Sequence, residues 1–342
     1  MTAGSAPTPI SVLLPMYNGE AYLAEQVRSI LDQEGVDVRL FIVDDCSRDG
    51  SLALADSLAS EDKRITVLEN SRNRGLIGTL DRLLSLVKTP YFSLSDQDDI
   101  WDPGKLRTSI DFLESNGHEL VYSDVRIVDE AGREQASSYL TSRKIRPIEG
   151  REPVPFVFRN PAAGHTIVAR REVAERARPM PSDLVFHEAW LVAAACSRGS
   201  VGFVPGGPLG SYRVHASNVV GLADGGILQK ALRILRNRAN LTKRERIRAG
   251  AVRSLARVDP ALSEVAACYV ATGLERLTYI PRHVRFLLVR NRQAGLRSVA
   301  VEAATYAFGA FAARGTTEER RVGNGTESFG VTPDQGRCIE DQ

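Results

Sequence analysis

Over the first hundred positions, apolar runs of six to eight residues alternate with amphipathic stretches, and this alternation restricts the fold more than any other feature. The runs ISVLLP (10–15), VRLFIVDD (38–45), RITVLEN (64–70) and YFSLSD (91–96) read as strands. Between them, EAYLAEQVRSILDQ (20–33), DGSLALADSLAS (49–60) and residues 76–87 space their apolar side chains as helices do. Strands alternating with helices predict an α/β fold: a mostly parallel sheet with helices on both faces. Ligands of such sheets bind outside the carboxyl ends of the strands. Those ends read PMYN, DDCSRDG, ENSRNRG and SDQDD, so turn-forming and acidic residues gather on one edge.

Beyond residue 103 the rhythm loosens. A helix is expected over 105–115, then a strand entering a hairpin that turns at Glu130-Ala131-Gly132. GHTIVARREVAERA (164–177) reads as strand then helix, and HEAWLVAAACSRG (187–199) as a helix closed by Gly199. VGFVP is a short strand, followed by a loop, GSYRVHASNVVG (210–221). Residues 223–313 read as a basic helical region, residues 314–342 as a polar, Gly-rich disordered tail, and residues 1–8 as a flexible start.

Three carboxylates, Asp96, Asp98 and Asp99, crowd the end of the fourth run. One reading is a solvated turn capping the next helix. The other is a cation site, since carboxylates one residue apart at a strand end can aim at a single hard cation. Mg²⁺ and Mn²⁺ take oxygen ligands and often share a site with a diphosphate. The sequence holds no P-loop and no G-x-G-x-x-G after the first strand. A nucleotide bound without such a cradle needs a metal, basic side chains or both. Asp44 and Asp45 end the second strand, where a carboxylate can accept from a base imide or a ribose hydroxyl, and Asp49 is the expected cap of the helix that follows. Pro15 and Tyr17, ending the first strand, stand within reach of a nucleobase; packing is the other role open to Tyr17.

In this order, LPMYNGEAYLAEQVRSIL, VDDCSRDGS, SDQDDIWDPGKL and YRVHASNVVG resemble the motifs of a bacterial family 2 glycosyltransferase with the A-type fold. The rhamnosyltransferase-like branch of surface-polysaccharide synthesis is the most similar. The resemblance covers residues 9–222, which would be the catalytic domain. It implies inverting transfer from a nucleotide-diphosphate sugar, with dTDP-rhamnose favoured and a UDP-sugar as the other donor, to a saccharide or lipid-linked acceptor. It further implies Mg²⁺ or Mn²⁺ on the diphosphate. Pro15, Tyr17 and Asp45 would contact the nucleoside. Asp96 and Asp98 would form the metal site, Asp98 as direct ligand, with His215 on metal or diphosphate and Arg213 neutralising phosphate. Asp99 and Trp101 would flank the sugar pocket.

Inversion needs a carboxylate to take the acceptor hydroxyl's proton. The branch carries an Asp in a His-Asp-x-Trp-like motif; here the motif reads His187-Glu188-Ala189-Trp190. Glu188 is the expected base, one methylene longer than the branch residue, and Trp190 either walls the acceptor pocket or packs in the core. Three outcomes stay open: an adapted pocket, a different acceptor, or an impaired chain. Asp183 is a weaker candidate.

Charge is uneven along the chain. Residues 230–297 hold sixteen Lys or Arg against four acids, although the whole chain is only +2. Such a stretch either lies on anionic lipid or is the solvated face of a packed subdomain. It lacks the interleaved aromatics and reading module of a nucleic-acid binder. The four cysteines form no CxxC pair, the start carries no leader pattern, and no run reaches the roughly 18 apolar residues that span a bilayer. A cytoplasmic enzyme, peripheral to the membrane, is expected. The competing classes are a non-catalytic sugar-nucleotide-binding assembly partner and a nucleotidyltransferase. The latter normally opens with a Gly-rich basic loop that PMYNGEAY is not.

Overall fold

The computed structural model describes residues 6–153, 155–156, 160–182, 184 and 186–215. The expected basic helical region, the tail and Asp183 lie outside them.

The predicted alternation forms as β1 (Thr8–Met16), α1 (Glu20–Leu31), β2 (Val36–Asp44), α2 (Ser51–Glu61), β3 (Ile65–Glu69), α3 (Gly75–Ser85) and β4 (Tyr91–Leu94). After it come β5 (Ile100–Trp101), α4 (Lys105–Asn116), β6 (Leu120–Val128), β7 (Glu134–Ala136) and the short α5 (Tyr139–Ser142). A 3₁₀ turn (Gly164–Thr166) leads into β8 (Ile167–Arg170), α6 (Arg171–Ala177), α7 (His187–Cys196) and β9 (Val201–Arg213).

The strands join one sheet in the order β3-β2-β1-β4-β8-β6-β9-β5, with β7 paired to β6. The longest ladders, β1–β2 and β6–β9, are parallel. The expectation of a mostly parallel sheet needs one correction, because β8 runs antiparallel to both β4 and β6. This reversal matters for the site. An antiparallel neighbour brings its start, not its end, to the edge where β4 finishes. β6 and β9 then run with β4 again and finish on that same edge.

Alternate residues divide the core between the two faces, as the two-residue period of a strand requires. Ile10, Val12, Leu14 and Met16 pack with Leu23, Val27 and Ile30 of α1 and with Leu106, Ile110 and Leu113 of α4. Leu13 and Val43 face the other way, onto Leu80, Leu83 and Leu84 of α3 and the Ala-rich α7. Pro15 fits because of where the ladders stop. Leu13 O accepts from Ser95 on the β4 side and Met16 O from Asp45 on the β2 side. Odd residues of β1 therefore face β4, and the β1–β4 ladder has ended at Leu13↔Leu94 before Pro15 would be asked for an N–H.

The predicted short strand and loop at 201–221 is also corrected. Its first part is one long strand, β9, running to Arg213. Gly206 and Gly207, at φ of 103° and 113°, carry the bulge that the sequence presents as a loop.

Candidate active site

The end of β1 and the end of β2 are laced together by backbone-to-side-chain bonds. Asn18 N–H donates to Ser47 Oγ, Gly19 N–H to Ser51 Oγ, and Arg48 N–H to Asn18 Oδ1. Asp49 joins in, with Oδ1 taking Ser51 N–H and Oδ2 taking Glu20 N–H. Burial opposes the charge of Asp49, but these bonds hold its carboxyl below the usual range. The N-cap position itself belongs to Gly50, so Asp49 acts from one residue before the predicted place.

Asp44 and Asp45 are both buried. Asp45 Oδ1 accepts from Asn70 Nδ2 at 2.7 Å and from Arg74 N–H at 2.8 Å, which fastens the loop before α3. Asp44 Oδ2 accepts from Ser47 N–H, while its buried Oδ1 has no hydrogen-bond partner. Tyr17, 45% exposed, is accessible above them.

The carboxylates after β4 separate into two sets. Asp98 Oδ2 lies 2.8 Å from His215 Nε2, just beyond the end of β9, and the His215 ring stacks on Tyr22 of α1 at 5.0 Å between centroids. Burial and the neighbouring Asp96 push the Asp98 carboxyl up, with His215 acting against them. The other set is Asp96, Asp99 and His165, whose ligand atoms all lie within 4.8 Å of one another. His165 Nδ1 stands 3.0 Å from Asp96 Oδ2 and 3.4 Å from Asp99 Oδ2, and its ring stacks on Tyr212. Beneath them Lys105, fully buried, donates to His165 O at 2.5 Å and sits 3.5 Å over the Trp101 ring. Burial raises Asp99 and lowers Lys105, each drawn back by the other's charge or by His165.

His165 escaped the sequence reading. It is a lone histidine entering a strand, and only the antiparallel placement of β8 brings it to Asp96, 69 residues away. Three expectations are revised. Asp99 is 1% exposed and belongs to the buried ion network, not to an open pocket wall. Trp101 lies in the core under Lys105 and not in an open pocket, and Trp190 is buried, its Nε1–H donating to Ala177 O, which is the packing role left open for it. Arg213, 3% exposed, spends its guanidinium on Glu25, Glu130 O and Asp98 O. It fastens the acidic turn to α1 and β9 instead of standing open to a phosphate.

Glu188 enters at the first turn of α7. Gly164 makes the close approach of His187 workable, because a Cβ there would lie 2.6 Å from His187 Nε2; Glu188 Cγ, at 3.6 Å, would be in ordinary contact. His187 and Glu188 therefore sit beside the turn that carries His165, and the Glu188 Oε2 to His187 Nδ1 distance is 3.6 Å.

The donor set suits a divalent cation. Carboxylate oxygens dominate, an imidazole stands at each end, and crowded acids that repel one another gain from a positive charge between them. Access differs within the cluster and not between the two sets: the Asp96 side chain is 46% and Asp98 16% exposed, against 1% for Asp99, 7% for His165 and 9% for His215.

Residues 11–177 match the family described as Glycosyl transferase family 2. The dTDP-rhamnosyl transferase RfbG of Shigella flexneri is 27% identical over 217 residues, covering 60% of this chain and 72% of that protein. The putative glycosyltransferase EpsE of Bacillus subtilis is 34% identical over 125 residues, 36% of this chain and 45% of its own length. The chain thus spans under half of that relative. Among solved structures, Staphylococcus aureus TarS 1–349 in complex with UDP-GlcNAc superposes with a TM-score of 0.55 at 14% identity, over 90% of this chain and 92% of that one. At that identity the likeness is one of fold. Among the described residues, no helix is long and apolar enough to cross a membrane.

Proposed function

Since the chain belongs to glycosyl transferase family 2, we propose that it moves a sugar, rhamnose or a close relative, from a nucleotide-diphosphate donor to a saccharide or lipid-linked acceptor in polysaccharide synthesis, inverting the anomeric centre. The observation that carries this reading is the convergence of Asp96 and Asp98 after β4, His215 after β9 and Glu188 beside the Gly164 turn on one edge of the sheet. RfbG, named as a dTDP-rhamnosyl transferase, supports dTDP-rhamnose as donor, and the TarS complex keeps UDP-sugars in view.

Tyr17, Asp44 and Asp45 hold the nucleoside end. Asp96, Asp98 and His215 hold Mg²⁺ or Mn²⁺ in this reading: Asp96 and Asp98 are the more exposed carboxylates of the cluster, and His215 lies 2.8 Å from Asp98. The cation, when bound, supplies positive charge against the leaving diphosphate. Glu188 takes the acceptor's hydroxyl proton as that oxygen bonds to the anomeric carbon. The bond from that carbon to the diphosphate oxygen breaks on the opposite side, and its electron pair leaves with the nucleoside diphosphate. Contact of the basic segment 230–297 with anionic lipid would bring the site to a lipid-linked acceptor.

A panel of nucleotide sugars tests the reading, by thermal stabilisation and by released nucleoside diphosphate with Mn²⁺ or Mg²⁺. Metal-dependent release from one donor, lost in Asp98→Ala, is expected. Donor binding with no release on any acceptor would favour a non-catalytic assembly partner, and no metal-dependent binding would refute the donor site.

A further inference from the structure

Gln97, the middle residue of Asp96-Gln97-Asp98, has no part in the chemistry above. Its carboxamide reaches over the loop after β1. Oε1 accepts Tyr17 N–H at 2.9 Å, and Nε2 donates to Tyr17 O at 3.0 Å. One side chain thus satisfies both backbone groups of one residue, as a neighbouring strand would. The β1–β4 ladder stops at Leu13↔Leu94, so this bridge extends the link between the two loops after the strands have parted. Gly19 leaves the space for it. A Cβ there would lie 2.5 Å from Gln97 Oε1 and 2.8 Å from Nε2. Gly19 has φ of −114°, open to any residue, so its lack of a side chain supplies room and not backbone freedom. The result is a Tyr17 whose backbone is fixed and whose ring is exposed.

We propose that Gln97 is a positioning residue that couples the two halves of the donor site: the acidic turn that takes metal and diphosphate, and the Tyr17 loop that takes the nucleoside. This rests on the donor reading given above. Filling the acidic turn fixes the backbone that carries Gln97, and the paired hydrogen bonds pass that ordering to Tyr17. Coupling is reciprocal, so metal tightens nucleotide by the factor by which nucleotide tightens metal. Removing the carboxamide removes the share of that factor that runs through Tyr17.

Calorimetric titration of dTDP and UDP, each with and without saturating MnCl₂, measures the factor in the full chain. In Gln97→Ala the Mn²⁺-induced tightening is expected to shrink about tenfold, the worth of two modest hydrogen bonds. Gly19→Ala should reproduce that loss by displacing a carboxamide that is still present, since the far end of a flexible side chain yields easily. In the double variant no further loss is expected, because both changes break one bridge. A mere loop brace would lower the melting temperature and leave the metal-induced factor intact. Should the wild type show the factor and both variants keep it, or should their losses add, the inference is overturned and the donor reading stands. Should Mn²⁺ fail to tighten either nucleotide in the wild type, the donor reading itself falls, and this inference with it.

Discussion

Glu188 and His165 show what single residues disclose and what they withhold. Glu188 is visible in the sequence because His187-Glu188-Ala189-Trp190 resembles the His-Asp-x-Trp-like motif of the family branch. Beside it, Gly164 leaves room for the His187 ring, while Glu188 Cγ stands at ordinary contact distance, 3.6 Å, from where a Cβ would lie. Glu188→Gln should retain metal-dependent nucleotide binding and lose turnover by roughly two to four orders of magnitude, the usual worth of a general base. Glu188→Asp should also be slower than the wild type, because a carboxylate drawn back by about 1 Å loses its approach to the acceptor hydroxyl. Steady-state kcat decides both; a faster Asp variant would mean that glutamate is an impaired substitute. His165 carries no such signal. Nothing near it in the sequence is acidic on the turn side, and its partners Asp96 and Asp99 come from the turn after a strand to which β8 pairs antiparallel.

At the scale of elements, the strand-to-helix junctions were legible wherever period and turn chemistry agreed. The four apolar runs and their helices fall within a few residues of expectation, because burial on both faces forces continuous apolar strands. β9 was not legible as one strand, since Pro205, Gly206, Gly207 and Pro208 carry loop chemistry and only pairing to β6 straightens them. The junction after β2 is held by Asp49, and this gives a prediction at its own scale. Asp49→Ala removes acceptors from Ser51 N–H and Glu20 N–H and should destabilise the fold by about 1 kcal/mol, the usual worth of a lost cap at an exposed site. The folded pKa of Asp49 lies below its unfolded value of 3.8, so its contribution is present above that value. It is lost as pH falls through the folded pKa. Urea denaturation of wild type and variant should therefore differ near neutrality and converge in acid. A difference that persists at the lowest pH would assign the loss to packing and not to the carboxylate.

At the scale of the molecule, the antiparallel β8 divides the sheet into a parallel half that ends in the Tyr17 and Asp44–Asp45 loops and a second half that brings His165 and His215 back to the same edge. Lys105 joins the two. It rises from α4, packs over Trp101, bonds to His165 O before β8, and faces Asp99 beyond β4. A fully buried ammonium is costly to desolvate, and this one is tolerated because Asp99, Asp96 and Asp102 surround it. Burial alone would discharge Lys105 and protonate Asp99; together the two can stay matched whichever one holds the proton. Removing one member should therefore cost more than removing both. Lys105→Met, close in volume, removes one of the positive charges around Asp99, leaving His165 at 3.4 Å, and should destabilise by about 3 kcal/mol. Asp99→Asn in that background should restore about 1–3 kcal/mol, a coupling typical of residues in one buried network. A double-mutant cycle by urea denaturation measures it. Additive losses would mean that Lys105 serves the fold through its stem and its bond to His165 alone, and that the two halves of the sheet are held together by packing, without help from this pair of charges.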